Sequence, residues 1–290
     1  MKRVILALIV GSAAVAAAFA DEPVHRGHLV LNGGGSKPAA VMETFIELAG
    51  GHDADIVIFP TASEENDTGD YYREIFADHG CRKVWDAGVR TQDNANNEDL
   101  AGRVAEADGI WFSGGDQRRI TGALVGTPVG DAVRSAFEGG AVIGGTSAGT
   151  ACQSGLMITG DGEFTVITAD NVELWEGLGF FEGVIVDQHF VARQRQNRLI
   201  SVVLEHPELL GVGVDEATAV WVRPDGSFKV LGENWVMVFD AAAADVTTGP
   251  WRDGASALGA HGLVTHVLLP GEVFDVAARA VVEEDPWTTQ

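Results

Sequence analysis

Residues 141–155 read AVIGGTSAGTACQSG, an apolar run that ends in one serine set among glycine, threonine and alanine. The stretch Gly145-Thr146-Ser147-Ala148-Gly149 fits G-x-S-x-G, in which small neighbours let a strand turn sharply into a helix and display a hydroxyl. Backbone N–H groups at such a turn can receive an oxyanion. The competing reading is a glycine-rich turn that merely contains a serine, so the pattern needs partners. A serine hydroxyl is a poor nucleophile until a base takes its proton and a third group orients that base.

Of the eight histidines, His189 stands apart, because it follows the strand-like VIVDQ and so should emerge at the same rim as Ser147. The others fall near the amino terminus or in loops (His25, His28, His52), at helix ends (His79, His206) or in the tail (His261, His266). The orienting acid belongs at another strand end. Asp215 and Glu216 both close GVGVDE. Adjacent strand residues face opposite sides, so one of the two serves and spacing does not choose between them. Asp187 qualifies by position as well.

The rim is completed by IWFSGGDQRR, residues 110–119. Gly114 and Gly115 let backbone N–H groups approach a substrate oxygen, and Asp116 suits the cap of the following helix. Gln117 is placed to hydrogen-bond a substrate or to face solvent. Past His189, VARQRQNRLISVV carries Arg193, Arg195 and Arg198. Arg195 and Arg198 lie four residues before Leu199 and Val202, which extends the buried stripe and turns them toward the body, where each wants an anion. That anion is a structural carboxylate or a carboxylate of the substrate.

The elements that must position these residues are short apolar runs: HLVLN, DIVIFP, GIWFSGG, AVIGG, GVIVDQ and GVGVDE. Runs apolar throughout suit strands covered on both faces. Between them lie helical stripes, Val41, Phe45 and Leu48 in one and Leu199, Val202 and Val203 in another, the latter ending near Pro207. Alternating strands and helices predict an α/β chain, a three-layer α/β/α sandwich around a mainly parallel sheet. The tail differs: AVWVRPDGSFKVL reads as a hairpin through Asp225-Gly226, and HGLVTHVLLPG as a further strand. Together they predict a β-rich C-terminal extension over about residues 223–290 of a single domain spanning 21–290.

Residues 1–20 combine Lys2 and Arg3, an apolar stretch and a small-x-small ending at Ala18 to Ala20, the pattern of a cleavable signal peptide with a cut after Ala20. The expectation is a secreted or periplasmic protein that leaves the membrane after cleavage. Loss of Lys2 and Arg3 takes the net charge from −23 to −25. So acidic a body repels nucleic-acid phosphates and anionic membrane surfaces, which excludes nucleic acid as a partner. Cys81 and Cys152 are too few for a disulfide framework, and their spacing does not say whether they pair. H-E-x-x-H and C-x-x-C are absent, and GGGS at 33–36 lacks the spacing of a dinucleotide fingerprint, so neither a metal nor an organic cofactor is expected.

LVLNGGG, FSGGDQ, GGTSAG, VDQHF followed by R-x-R-x-x-R, HPELLGVGVDE and DEATAVWV, in that order, resemble the cyanophycinases of peptidase family S51, relatives of the aspartyl dipeptidases. The resemblance implies a fold related to class I glutamine amidotransferases and a Ser, His, Glu triad. Carried onto this chain, it makes Ser147 the nucleophile, His189 the base and Glu216 the acid that spacing left open. It assigns Gln117, Asp187, Gln188, Arg193, Arg195 and Arg198 to shaping and binding the substrate. With the N–H of Ala148 and one from Gly114 or Gly115 as oxyanion donors, the expected activity is a serine exopeptidase. It would hydrolyse cyanophycin, a poly-aspartate backbone with arginine on each side-chain carboxyl, to β-aspartyl-arginine dipeptides. The rivals are a peptidase for other acidic or isoaspartyl peptides and a secreted binding protein that keeps the fold without turnover. A homodimer is one assembly the reading admits.

Overall fold

The computed structural model describes residues 27–287; the signal-peptide reading of residues 1–20 and His25 lie outside the described residues. The chain first alternates β1 (Leu29–Asn32), α1 (Ala39–Leu48), β2 (Asp55–Phe59), α2 (Thr68–Asp78), β3 (Lys83–Asp86), α3 (Gln92–Ala95), α4 (Glu98–Ala105), β4 (Gly109–Phe112), α5 (Gln117–Leu124), α6 (Pro128–Gly139), β5 (Val142–Thr146) and the short α7 (Ala148–Ala151). A small pair, β6 (Leu156–Ile158) and β7 (Leu174–Glu176), precedes β8 (Val184–Gln188), α8 (Gln196–Glu205) and β9 (Leu210–Val214). The rest is nearly all strand: β10 (Thr218–Val222), β11 (Ser227–Gly232), β12 (Val236–Asp240), β13 (Asp245–Pro250), β14 (Ser256–His261), β15 (Val264–Leu268), β16 (Val273–Asp275) and β17 (Ala280–Val282).

The large central sheet has the order β17-β16-β11-β10-β1-β5-β4-β2-β3, and its β1-β5-β4-β2-β3 portion is parallel. Its inner strands β1, β2, β4 and β5 are buried almost throughout because both faces are covered. On one face α1 and α2 bring Val41, Phe45 and Phe76 onto Val30, Ile56 and Trp111. The opposite face packs Leu31, Val57 and Ile110 against Val104, Val133 and Phe137 of α4 and α6. Phe45 and Trp111 meet edge to face at 5.1 Å, an arrangement worth about 0.5–1.5 kcal/mol beyond the area it buries. Of the stripe expected in α1, Val41 and Phe45 are fully buried and Leu48 partly so.

The C-terminal extension completes this sheet. β10 runs antiparallel to β1 and turns into β11 through Asp225-Gly226, with Gly226 at φ +81° as such a turn requires. VIVDQ and GVGVDE do not join the central sheet. As β8 and β9 they pair in parallel inside a second sheet of order β15-β12-β9-β8. The reason lies in the short link from β9 to β10, where Ala217 takes φ +52° and reverses the chain, so that two neighbouring strands belong to different sheets. Leu199, Val202 and Val203 of α8 are buried against Ile185 and Phe239 of this second sheet and against Phe190 just past β8, as the stripe predicts. Cys81 and Cys152 are unpaired, each buried in a different hydrophobic cluster. Among the described residues no helix is long and apolar enough to cross a membrane.

Candidate active site

Strand register brings the site together. Asn32 pairs with Thr146 and Phe112 with Gly145, so β1, β4 and β5 end at one rim, and Ser147 is the first residue beyond it. Ser147 takes φ 54° and ψ −109°, a conformation costing about 1–3 kcal/mol for a residue with a Cβ. The glycines on either side make the turn feasible. A Cβ on Gly145 would come within 2.3 Å of the Gly149 carbonyl oxygen, and one on Gly149 within 2.4 Å of that of Phe112.

His189 also lies in the left-handed region, at φ 49°, and its N–H donates to the Gly33 carbonyl at 2.7 Å. Its ring bridges two strand ends. Nε2 lies 2.9 Å from Ser147 Oγ, and Nδ1 lies 2.5 Å from Glu216 Oε1. Desolvation holds the imidazole pKa below its ordinary value, the positive charges of Arg193 and Arg195 push the same way, and Glu216 opposes them. The ring is therefore neutral at pH 7 and able to accept a proton. Ser147 Oγ is also 3.3 Å from Gln188 Oε1, a second and longer partner.

The structure separates the three candidate acids. Glu216 reaches His189, whereas the Asp215 carboxylate accepts the N–H groups of Val191 and Ala192 at 3.1 and 2.9 Å and so shapes the turn that follows the histidine. Asp187 is buried and paired with Arg198, whose Nε donates to it at 2.6 Å while Nη2 makes a second bond. Arg195 donates to the Gln188 carbonyl at 2.6 Å and lies 3.6 Å from Asp187. Asp187 and Arg198 thus shape the site from beneath and do not reach its surface, which is the structural ion pair of the two readings given above. Arg193 is exposed beside His189. Gln117 donates to the carbonyls of Ile158 and Thr159, both at 2.7 Å, which commits its amide nitrogen to the end of β6.

Gly114 lies against Ser147: a Cβ there would sit 3.4 Å from the serine Cβ. Burial drives the pKa of the nearby Tyr72 hydroxyl up and so keeps it protonated. Ala148, with Gly114 or Gly115, supplies the candidate backbone donors for an oxyanion. Among the described residues no group of three His, Cys, Asp or Glu side chains is disposed to hold a metal ion.

The loop Gly33-Gly34-Gly35 is the part of the site that residue-type reasoning passed over. A Cβ on Gly34, at φ +118°, would strike the His189 ring at 2.2 Å, and one on Gly35 would meet the Glu216 side chain at 3.1 Å. Asn32, fully buried, anchors this loop: its Oδ1 accepts the Gly34 N–H at 2.8 Å and the Thr146 hydroxyl at 2.9 Å. Its carbonyl accepts the Ser147 N–H at 3.0 Å. Three consecutive glycines at the end of an apolar strand were the available signal, because they mark a place where other groups approach the backbone closely.

Known proteins resemble this chain over most of its length. The chain is 37% identical over 265 residues to the cyanophycinase of Thermosynechococcus vestitus, covering 89% of this chain and 82% of the relative. It is 36% identical over 244 residues to the cyanophycinase of a Nostoc species, covering 83% and 82%. A crystallised peptidase from an acI-B1 actinobacterium superimposes with a TM-score of 0.66 at 23% identity, over 88% of this chain and 98% of that one, a likeness of fold. The family model described as Peptidase family S51 matches residues 29–230. That span runs from the first strand of the sheet through both strand ends that meet at Ser147, and the chain accordingly belongs to peptidase family S51, as a serine-type peptidase.

Proposed function

We propose that the protein is a secreted cyanophycinase that releases β-aspartyl-arginine dipeptides through an acyl-enzyme on Ser147. The observation that carries the reading is the Ser147–His189–Glu216 relay, with contacts of 2.9 and 2.5 Å, in a chain 36–37% identical to cyanophycinases over most of its length. In this mechanism His189 Nε2 takes the hydroxyl proton as Ser147 Oγ attacks the scissile carbonyl carbon. Glu216 stabilises the imidazolium that forms and fixes its tautomer. The N–H groups of Ala148 and of Gly114 or Gly115 receive the oxyanion, a role worth about 3–4 kcal/mol per donor in related sites. Collapse of the tetrahedral intermediate expels the amine, protonated by His189, and water then enters by the same route to free the acyl group. Arg193, exposed beside the base, offers charge to a substrate carboxylate, and Gln117 and Gln188 offer amide groups. Support for secretion comes from the basic, apolar and small-x-small order of residues 1–20.

The test uses protein beginning at Asp21, mixed with insoluble cyanophycin, with soluble products read by mass spectrometry beside Ser147→Ala. Release of the dipeptide by the unaltered protein alone is the expected result. No release by a protein that still reacts at Ser147 would keep the serine hydrolase and transfer its substrate to other acidic or isoaspartyl peptides.

A further inference from the structure

The chain carries 42 acidic side chains against 19 Lys and Arg, so a cation at its surface has little difficulty finding an anion. Arg82 pairs with Asp53, Arg118 with Asp116 and Asp161, and Arg119 with Glu64. Lys37, like Arg90, Arg103 and Arg134, has no carboxylate partner among the described residues. It is half-buried, and its Nζ lies 5.4 Å from the ring centre of Tyr72 and 5.9 Å from that of Tyr71. Burial alone pulls its ammonium pKa down, and no neighbouring carboxylate raises it. Two ring faces at such distances return about 0.5–1 kcal/mol each, less than a buried ammonium loses in hydration. What distinguishes Lys37 is its position: it lies two residues past Gly35, which faces Glu216, and the Tyr72 ring it approaches lies near Gly114, which packs against Ser147.

The cations around the nucleophile divide by what already holds them. Arg198 is enclosed against Asp187, and Arg195 lies 3.6 Å from the same carboxylate while donating to the Gln188 carbonyl. Among the described residues around the nucleophile, Arg193, on the His189 side, and Lys37, on the α2 side, are the cations left without a carboxylate. We infer that Lys37 is a substrate-anchoring residue that binds a free carboxylate of the peptide substrate beside Ser147, between the Gly33–Gly35 loop and α2. With Arg193 across the nucleophile, it selects chains that carry carboxylates on both sides of the scissile bond over peptides with a single acid. The identity of the polymer rests on the function proposed above, but the preference for a carboxylate at this place does not.

Two readouts separate the claims: kcat and KM for release from soluble cyanophycin, and protection of Ser147 from a fluorophosphonate by poly-L-aspartate. Lys37→Met should leave the rate of Ser147 labelling unchanged, raise KM about ten- to a hundredfold with kcat within threefold, and abolish protection. Lys37→Arg should restore both. An unchanged KM in Lys37→Met, or equal protection of both proteins, would overturn the assignment. Slower labelling in Lys37→Met would overturn it too, by making the residue a support of the triad. If the unaltered protein leaves cyanophycin intact yet is protected by poly-L-aspartate, and Lys37→Met is not protected, the polymer assignment fails and the anchor stands.

Discussion

Arg198 and Arg223 are both wholly enclosed, and each is met by one aspartate, Asp187 and Asp285. Both pairs face the same opposition, in which removal of two charges from water costs several kcal/mol per ion and only close, paired hydrogen bonds offset it. Their surroundings differ. Asp187 is the residue before Gln188 and His189, so its pair with Arg198 lies directly under the base. Asp285 belongs to the C-terminal tail: it takes Nη1 and Nη2 of Arg223 at 2.8 and 2.9 Å and Nζ of Lys229 at 3.1 Å, while Trp221 and Trp287 cover the guanidinium at 4.7 and 5.4 Å. One pair holds chemistry and the other fastens a chain end. A buried ion pair therefore says little about function until the residue next to it is named.

Removing one partner from each pair breaks the comparison most sharply. Asp187→Ala strands Arg198 and releases the 188–189 turn. The expected loss is about 3–5 kcal/mol of stability together with about a hundredfold or more in kcat/KM, read by denaturant melts and by kinetics below the melting range. Asp285→Ala should cost a similar amount of stability and leave kcat/KM within twofold. The second pair also has a pH signature. Hydrogen bonds from Arg223 hold the Asp285 carboxyl well below the usual carboxylate range. Its contribution to stability is complete above about pH 4, where the unfolded chain is also ionised, and fades as pH falls below that. Melts from pH 6 to pH 3 should begin to draw together for the unaltered protein and Asp285→Ala below about pH 4 without meeting, because the folded-state carboxyl is still ionised at about pH 3. The smallest effect belongs to Arg193, whose charge lowers the His189 pKa. Arg193→Gln should raise that pKa, so more imidazole is protonated at a given acidic pH and the acid limb of kcat/KM moves to higher pH.

What the sequence disclosed follows the range of the physics involved. The serine turn and the histidine at a strand end are set by neighbours a few residues away, and both stand where the local pattern placed them. Asp215 and Glu216 differ only in which side of a strand end each faces, so spacing left them equal; family resemblance pointed to Glu216, and in the structure Glu216 lies against His189 while Asp215 is turned to Val191 and Ala192. The division of β8 and β9 from the central sheet was not legible, because five apolar residues fit the interior of either sheet. Nor was the meaning of Lys37, which depends on a partner that is missing, something that becomes visible only when the surroundings are in place.

The central claim is that His189 activates Ser147. The direct measurement is the rate of fluorophosphonate attachment, with the modified residue mapped by peptide mass spectrometry, in the unaltered protein, Ser147→Ala and His189→Ala. The account predicts one adduct, on Ser147, absent in Ser147→Ala and formed about a thousandfold or more slowly in His189→Ala. Attachment at an undiminished rate in folded His189→Ala, or at a residue other than Ser147, would contradict it.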